Sequence, residues 1–254
     1  MYAEERQRTI VNLALHQERV VVADLAEQFS VTTETIRRDL DVLDQRGILR
    51  RVHGGAVVAE NVALLEAGLA EREPTNAAQK ARIAEAAQAY LPGANGSVLL
   101  DAGTTTGRMA TLLHPGALKT LVTNSLPIAS QLAANAISVQ LLGGRVRGIT
   151  GATVGAEAVA RLAKLRCDVA FVGANGISVR HGLSTPDAEE AAVKEAMVRC
   201  AARVVVLADS SKVGAELLVS FAALGQVDVL ITDAGLPDDD RVDLLNAGLE
   251  VVVA

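Results

Sequence analysis

The chain has 254 residues, half of them hydrophobic and 21% charged, which gives material for a real core and more length than one average domain needs. A net charge of −6 excludes indiscriminate attraction to nucleic acid, and 2% aromatic residues with no Trp exclude a stacking platform for single strands, so any nucleic acid bound here is a duplex read in its grooves. The apolar runs are too short to span a bilayer and no signal-peptide pattern follows Met1, so a cytoplasmic location is expected; Cys167 and Cys200 stand outside any CxxC and four scattered histidines lack ligand spacing, so no metal site and no cofactor is expected.

In chain order, Ile10, Leu13 and Ala14 mark one face of a first helix over 4–16. The β-favouring patch Arg19-Val20-Val21-Val22 follows, then a short helix over 23–29 with Leu25 and Phe29 on one face. Ser30-Val31 is a tight turn, Thr32 an N-cap, and Glu34 suits the first turn of a helix over 33–46, whose buried stripe is Ile36, Leu40 and Leu43 and whose C-cap is Gly47. Helix, short turn, helix is a helix-turn-helix, in which the second helix enters the major groove by its N-terminal half. That half exposes Thr33, Thr35, Arg37 and Arg38, hydroxyl and guanidinium donors for base edges and phosphates. Ile48 and Leu49, then Arg50 and Arg51, then His53-Gly54-Gly55 read as a β-hairpin wing whose arginines reach the backbone of the duplex. Between positions 37 and 51 stand five Arg (37, 38, 46, 50, 51) against three Asp (39, 41, 44); Arg37 and Asp41 are also spaced to pair on a solvated face.

The runs Thr33-Glu34-Thr35-Ile36-Arg37-Arg38-Asp39-Leu40 and Gly47-Ile48-Leu49-Arg50-Arg51-Val52-His53-Gly54-Gly55-Ala56 resemble the signature of the DeoR family of bacterial regulators. The resemblance implies a winged helix-turn-helix over 1–57 that binds double-stranded operator DNA, with Thr33, Thr35, Arg37, Arg38, Arg50, Arg51 and His53 as its contacts.

A linker is expected over 58–76, where Glu71-Arg72-Glu73-Pro74 breaks the periodicity, and a second domain over 77–254 that opens with a helix over 78–90. Apolar strands (97–100, 118–122, 138–142, 168–172, 203–207, 228–232, 250–253) alternate with helices (105–113, 127–134, 156–164, 188–201, 241–247), the pattern of a doubly wound, mostly parallel α/β sheet. Ligands bind such sheets beyond the carboxyl ends of the strands. The segments there are Asp101-Ala102-Gly103-Thr104-Thr105-Thr106, Thr123-Asn124-Ser125, Gly143-Gly144-Arg145, Gly173-Ala174-Asn175 and Asp209-Ser210-Ser211-Lys212. Each alone is ordinary turn chemistry; together they describe one pocket, with a helix N-terminus, Arg145 and Lys212 for a phosphate and Asp101, Asp209 and amides for sugar hydroxyls. No GxGxxG or GxxxxGK[ST] is present, which disfavours dinucleotides and NTPs. Thr185 and Pro186 are placed to begin a helix in which Glu190 and Lys194 pair.

These segments also resemble the DeoR effector domain, whose fold is akin to ribose-5-phosphate isomerase. The resemblance implies that a phosphorylated sugar binds without turnover at Asp101, Gly103, Thr104, Thr105, Thr106, Thr123, Asn124, Gly143, Arg145, Asn175, Asp209 and Lys212, relieving repression of a sugar operon by a homo-oligomer. The opening residues and Asn175-Gly176-Ile177-Ser178 look most like fructose-operon repressors of high-GC Gram-positive bacteria, which implies fructose 1-phosphate. The alternative is a sugar-phosphate isomerase or deaminase with an accessory DNA-binding domain, Asp101 and Asp209 acting as acid and base.

Overall fold

A computed structural model describes residues 6–7, 9–11, 13–14, 19–45, 49–52, 54–58 and 68–254, and the chain divides into two compact units, Met1–Glu66 and Ala67–Ala254. Of the expected features, Gly47, His53 and 59–67 of the linker lie outside the described residues, as do Arg46 and Ile48.

In the first unit, residues 6–7, 9–11 and 13–14 are helical. Then come β1 (Arg19–Val21), α1 (Val22–Phe29), α2 (Thr33–Gln45), β2 (Leu49–Val52) and β3 (Gly55–Val58). The three strands form one antiparallel sheet in the order β1-β3-β2. Helix α1 ends where Ser30 turns left-handed (φ 53°) and the Val31 N–H closes on the Ala26 carbonyl at 3.0 Å, so two residues suffice to redirect the chain into α2. Ile36, Leu40 and Leu43 of α2 pack with Ile10, Val20, Leu25 and Leu49 into one core. Each such side chain contributes about 2 kcal/mol on burial, more than the few tenths its Thr and Asp residues cost in helix propensity. Val52 pairs with Gly55 across the wing turn, and Gly54 there has φ +76°, which an L side chain resists. A Cβ on Gly55 would overlap the Val20 carbonyl oxygen of the neighbouring strand.

The second unit opens with α3 (Leu69–Arg72) and α4 (Ala77–Ala87). Its centre is a seven-stranded parallel sheet of β4 (Ser97–Leu100), β5 (Thr120–Thr123), β6 (Gln140–Leu141), β9 (Cys167–Val172), β12 (Ala201–Leu207), β14 (Val229–Thr232) and β15 (Glu250–Val253). The order is β15-β14-β12-β9-β4-β5-β6, so the winding reverses between β4 and β9. Alternation puts Val98 and Leu100, Val169 and Phe171, Val205 and Leu207 against α4, α5 (Thr104–Thr111) and α6 (Leu126–Ala134). Leu99, Ala170, Val172, Val204 and Val206 face α7 (Ala156–Leu162), α8 (Ala188–Cys200) and α9 (Asp238–Asn246). Both faces are covered, which is why these strands read as unbroken apolar runs.

Two small antiparallel pieces were not foreseen. One is the pair β7 (Arg145–Val146) and β8 (Thr153–Val154); the other joins β10 (Gly176–Ser178), β11 (Gly182–Thr185) and β13 (Val219–Ala222). Thr185 accordingly ends a strand instead of capping a helix. The cap of α8 is Asp187, whose carboxylate accepts the Glu190 N–H at 2.9 Å, because the shorter acidic side chain follows Pro186 at the true turn.

In the first unit, Asp39 is 4% exposed and accepts from Arg6 Nε at 2.6 Å and from Gln7 Nε2 at 2.9 Å. Removing one member of a buried pair leaves the other charge uncompensated. Asp39→Ala is expected to cost the N-terminal unit about 3 kcal/mol in urea unfolding, while the double change Asp39→Leu with Arg6→Met restores most of it; equal losses in both proteins would refute the pairing.

Candidate nucleic-acid interface and anion site

The acids of α2 are drawn off its N-terminal face. Asp39 points inward to Arg6, Asp41 pairs with Arg51, and Asp44 accepts the Arg51 backbone N–H at 3.1 Å. The Arg37–Asp41 pairing that the spacing allows is not formed; Asp41 takes the wing arginine instead. Arg37 and Arg38 face only Glu34, at 3.8 and 3.5 Å, with the Arg38 side chain 79% exposed, and exposed pairs of this kind contribute little. Thr32 caps the helix as expected, its Oγ1 accepting the Thr35 N–H at 3.2 Å. Thr33 is exposed and Thr35 half-buried. The result is a helix start with two nearly unengaged guanidinium groups and a hydroxyl, the donors a groove requires.

The two wing arginines differ. Arg51 donates to the Arg37 carbonyl at 3.1 Å besides pairing with Asp41, so it fastens β2 to α2. Arg50, on the other side of the strand, is exposed.

In the second unit, the parallel sheet brings the ends of β4, β5, β6, β9 and β12 to one edge, yet their side chains serve different ends. Asp101, 1% exposed, accepts the Gly173 N–H at 3.0 Å and pairs with Lys194, which also donates to the Gly173 carbonyl at 2.9 Å. Lys194 therefore reaches across the switch point instead of pairing with Glu190, which instead binds Arg147 at 2.6 Å and the Thr150 hydroxyl at 2.5 Å. Burial pushes the Asp101 carboxyl above its ordinary range and Lys194 pulls it back. Thr123 Oγ1 donates to the Leu100 carbonyl at 2.7 Å, and Asn124 Oδ1 accepts the Ala102 N–H at 2.9 Å; both hold neighbouring strand ends in place. Asn175 Oδ1 accepts from Thr185 at 3.3 Å.

Gly103 leads into α5, and Thr106 closes back on the Gly103 carbonyl at 3.1 Å. First-turn N–H groups of Thr104, Thr105 and Thr106 have no intrahelical acceptor, and the Thr104 and Thr105 hydroxyls carry no protein partner among the described residues. This is an anion cradle in form.

Beside α4 lies a cationic corner that sequence reading missed. Lys80 is 4% exposed and donates to the Arg72 carbonyl at 2.5 Å. Burial lowers its pKa to about 8; Asp209 opposes that, while the charges of Arg72 and Lys212 add to it. Burial likewise lowers the Lys212 pKa, with Asp209 opposing. Asp209 is fixed by Asn76 Nδ2 at 2.9 Å and by the Ser211 N–H at 3.3 Å. Lys80 was legible after all: it stands on the buried stripe of α4 with Ile83, Ala84 and Ala87, where a lysine needs a reason.

Gly143 and Arg145 follow β6 at the sheet edge, four strand positions from β12, which carries Asp209 and Lys212. Four spacings are about 19 Å. Arg145 is turned onto Glu189, so the two cations expected at one phosphate stand apart.

The Lys80 charge gives a pH signature. Below pH 8 folded and unfolded chains both hold the proton and the buried charge costs stability in full. Between about pH 8 and the ordinary 10.5 only the unfolded chain keeps it, so folded stability rises with pH. Lys80→Met lacks this term. Wild type is expected to gain on Lys80→Met across that window, by at most about 1.4 kcal/mol per pH unit, in urea unfolding from pH 7 to 10; a pH-independent difference would mean an ordinary, solvated lysine.

Both units of the chain match known protein families. Residues 6–62 match the model of the DeoR-like helix-turn-helix domain, and residues 75–234 match the DeoR C-terminal sensor domain. The HTH-type transcriptional regulator GlpR of Haloferax volcanii is 39% identical over 253 residues, 99% of this chain and 98% of that protein. The glycerol-3-phosphate regulon repressor of Escherichia coli is 31% identical over 239 residues, 93% of each. Ribose 5 phosphate isomerase A from Neisseria gonorrhoeae aligns over 54% of each chain with 18% identity and a TM-score of 0.40. The chain belongs to the DeoR family of DNA-binding transcriptional regulators and is a regulator, not an enzyme.

Proposed function

We propose that this regulator represses a sugar-catabolic operon of the fructose type and leaves its operator when the C-terminal unit binds a phosphorylated sugar, fructose 1-phosphate being the first candidate. The observation that carries the reading is the corner where Lys80, 4% exposed, is tied to the Arg72 carbonyl, with the charges of Arg72 and Lys212 acting against its own and that of Asp209 for it. Asp209 and Glu73, the latter paired with Arg108, do not balance these cations, and a phosphate dianion supplies the missing charge and holds the Lys80 proton to higher pH. The first turn of α5, with Gly103, Thr104, Thr105 and Thr106, supplies N–H and hydroxyl donors to the same phosphate. Asp209 and Asn175 contact the sugar, Asp101, Thr123 and Asn124 hold the walls, and Gly143 and Arg145, at the far side of the sheet edge, stand outside this contact. A related repressor is named for a phosphorylated three-carbon compound, in keeping with this class of ligand.

The DNA-binding domain, 1–57, reads the operator with Thr33, Thr35, Arg37 and Arg38 in the major groove, and Arg50, Arg51 and His53 of the wing meet the backbone of the duplex. The effector domain, 77–254, follows a linker over 58–76. A homo-oligomer in the cytoplasm sets two α2 helices about one turn of duplex apart. Release then equals the difference in the ligand's affinity for the bound and unbound states.

Two variants test the reading by fluorescence anisotropy on duplex from upstream of the protein's own gene, at fixed salt. Arg38→Ala is expected to weaken specific binding at least about tenfold with its melting temperature unchanged. Lys212→Ala is expected to bind DNA normally and to stay bound at fructose 1-phosphate concentrations that release the wild type. Wild-type operator affinity in the first, or wild-type release in the second, would remove that residue from its site.

A further inference from the structure

Helix α3 is four residues long and buries none of them, so it has no hold of its own; an isolated turn is unstable in water. Its ends are nonetheless tied. The Leu69 N–H reaches the Ile149 carbonyl at 3.1 Å, the Arg72 carbonyl accepts Lys80 Nζ at 2.5 Å, and Glu73 Oε1 meets Arg108 at 2.6 Å. Arg108 also approaches the Glu73 carbonyl at 3.4 Å, and its Nε is buried without a partner.

The anchors at the Arg72–Glu73 end border the anion site. Lys80 is one of its cations. Arg108 stands one turn along α5 from Thr104. Ile149 belongs to the connection between β7 and β8, whose Arg147 and Thr150 are held by Glu190. In the other direction the chain continues directly into the linker and the DNA-binding unit. A segment without a core of its own, fastened at its Arg72–Glu73 end to groups beside a ligand site and joined covalently to the reader, has the position of that end set by the site.

We infer that residues 68–73 are the relay through which the effector state reaches the DNA-binding unit, with the Glu73–Arg108 pair as its pivot. The inference rests on the phosphorylated-sugar reading above. Phosphate draws the Lys80 ammonium off the Arg72 carbonyl and frees that end of the segment. Glu73 stays fastened to α5 through Arg108, so α3 swings about this point instead of detaching. Neither Glu73 nor Arg108 contacts ligand in this scheme; both are positioning residues, so losing them uncouples the two sites without weakening either.

The test uses full-length protein with Glu73→Gln, and independently Arg108→Gln. Fructose 1-phosphate and inorganic phosphate are the probes in calorimetry, and operator anisotropy is read with and without fructose 1-phosphate. Both variants are expected to bind the probes within about threefold of wild type and to bind operator normally. Saturating ligand is expected to weaken operator binding about tenfold or more in wild type and less than about threefold in the variants. Normal ligand binding with wild-type release overturns the relay alone. Ligand affinity lost in both variants makes them part of the binding site and overturns it too. Absence of binding by either probe to wild type overturns the phosphate reading and the relay with it.

Discussion

Lys194 and Asp101 meet where the order of the sheet reverses, both almost wholly buried, with Lys194 also 5.5 Å above the Phe221 ring. Neither charge is tolerable there without the other, because an unpaired buried ion costs several kcal/mol. Their pairing, with the Gly173 N–H and carbonyl, locks the ends of β4 and β9. It also fills the crevice where open α/β sheets receive ligands. Asp101 is thereby engaged as a structural anion, which accords with a sensor instead of a catalyst: acid–base work needs a carboxylate within reach of substrate. On the proposed reading the anion is received to one side instead, at the first turn of α5 and the Lys80 corner.

The same rule sorts charge in the DNA-binding unit. Net charge is −6 over the whole chain, yet the reading helix presents cations because each of its three aspartates is turned toward a partner behind it or in the wing. Asp39 binds the first helical segment, and Asp41 and Asp44 bind Arg51. Folding is what makes the surface basic; composition alone hides it. One arginine of an adjacent pair can thus be structural while its neighbour stays exposed, as with Arg51 and Arg50.

Much of this was legible in the sequence. Strands β4 and β15 begin and end where expected, since each is an apolar run bounded by polar turns. Helix α2 and its Thr32 cap followed from periodicity and a hydroxyl before an acidic first turn. Short β-hairpins were not legible: β7, β8 and β10 have two or three residues each, below the length at which alternation is a signal. Pairing partners were also misread where a nearby partner in sequence competed with a distant one. Glu190 and Lys194 are spaced for an i, i+4 pair, but Glu190 is buried against Arg147 and Thr150, and Lys194 is left to the buried Asp101 carboxylate. Lys80 was overlooked because attention went to loops after strands, whereas it stands on a helix face among alanines and an isoleucine.

The central claim is that a phosphate group, and not the sugar alone, changes the state of this regulator. The most direct measurement is operator anisotropy of the full-length protein titrated with sugar phosphates and their unphosphorylated parents in matched pairs, at one salt concentration. The account predicts release by at least one phosphorylated member, fructose 1-phosphate first, and by none of the parents. Release by a parent sugar, or indifference to every pair, would contradict it.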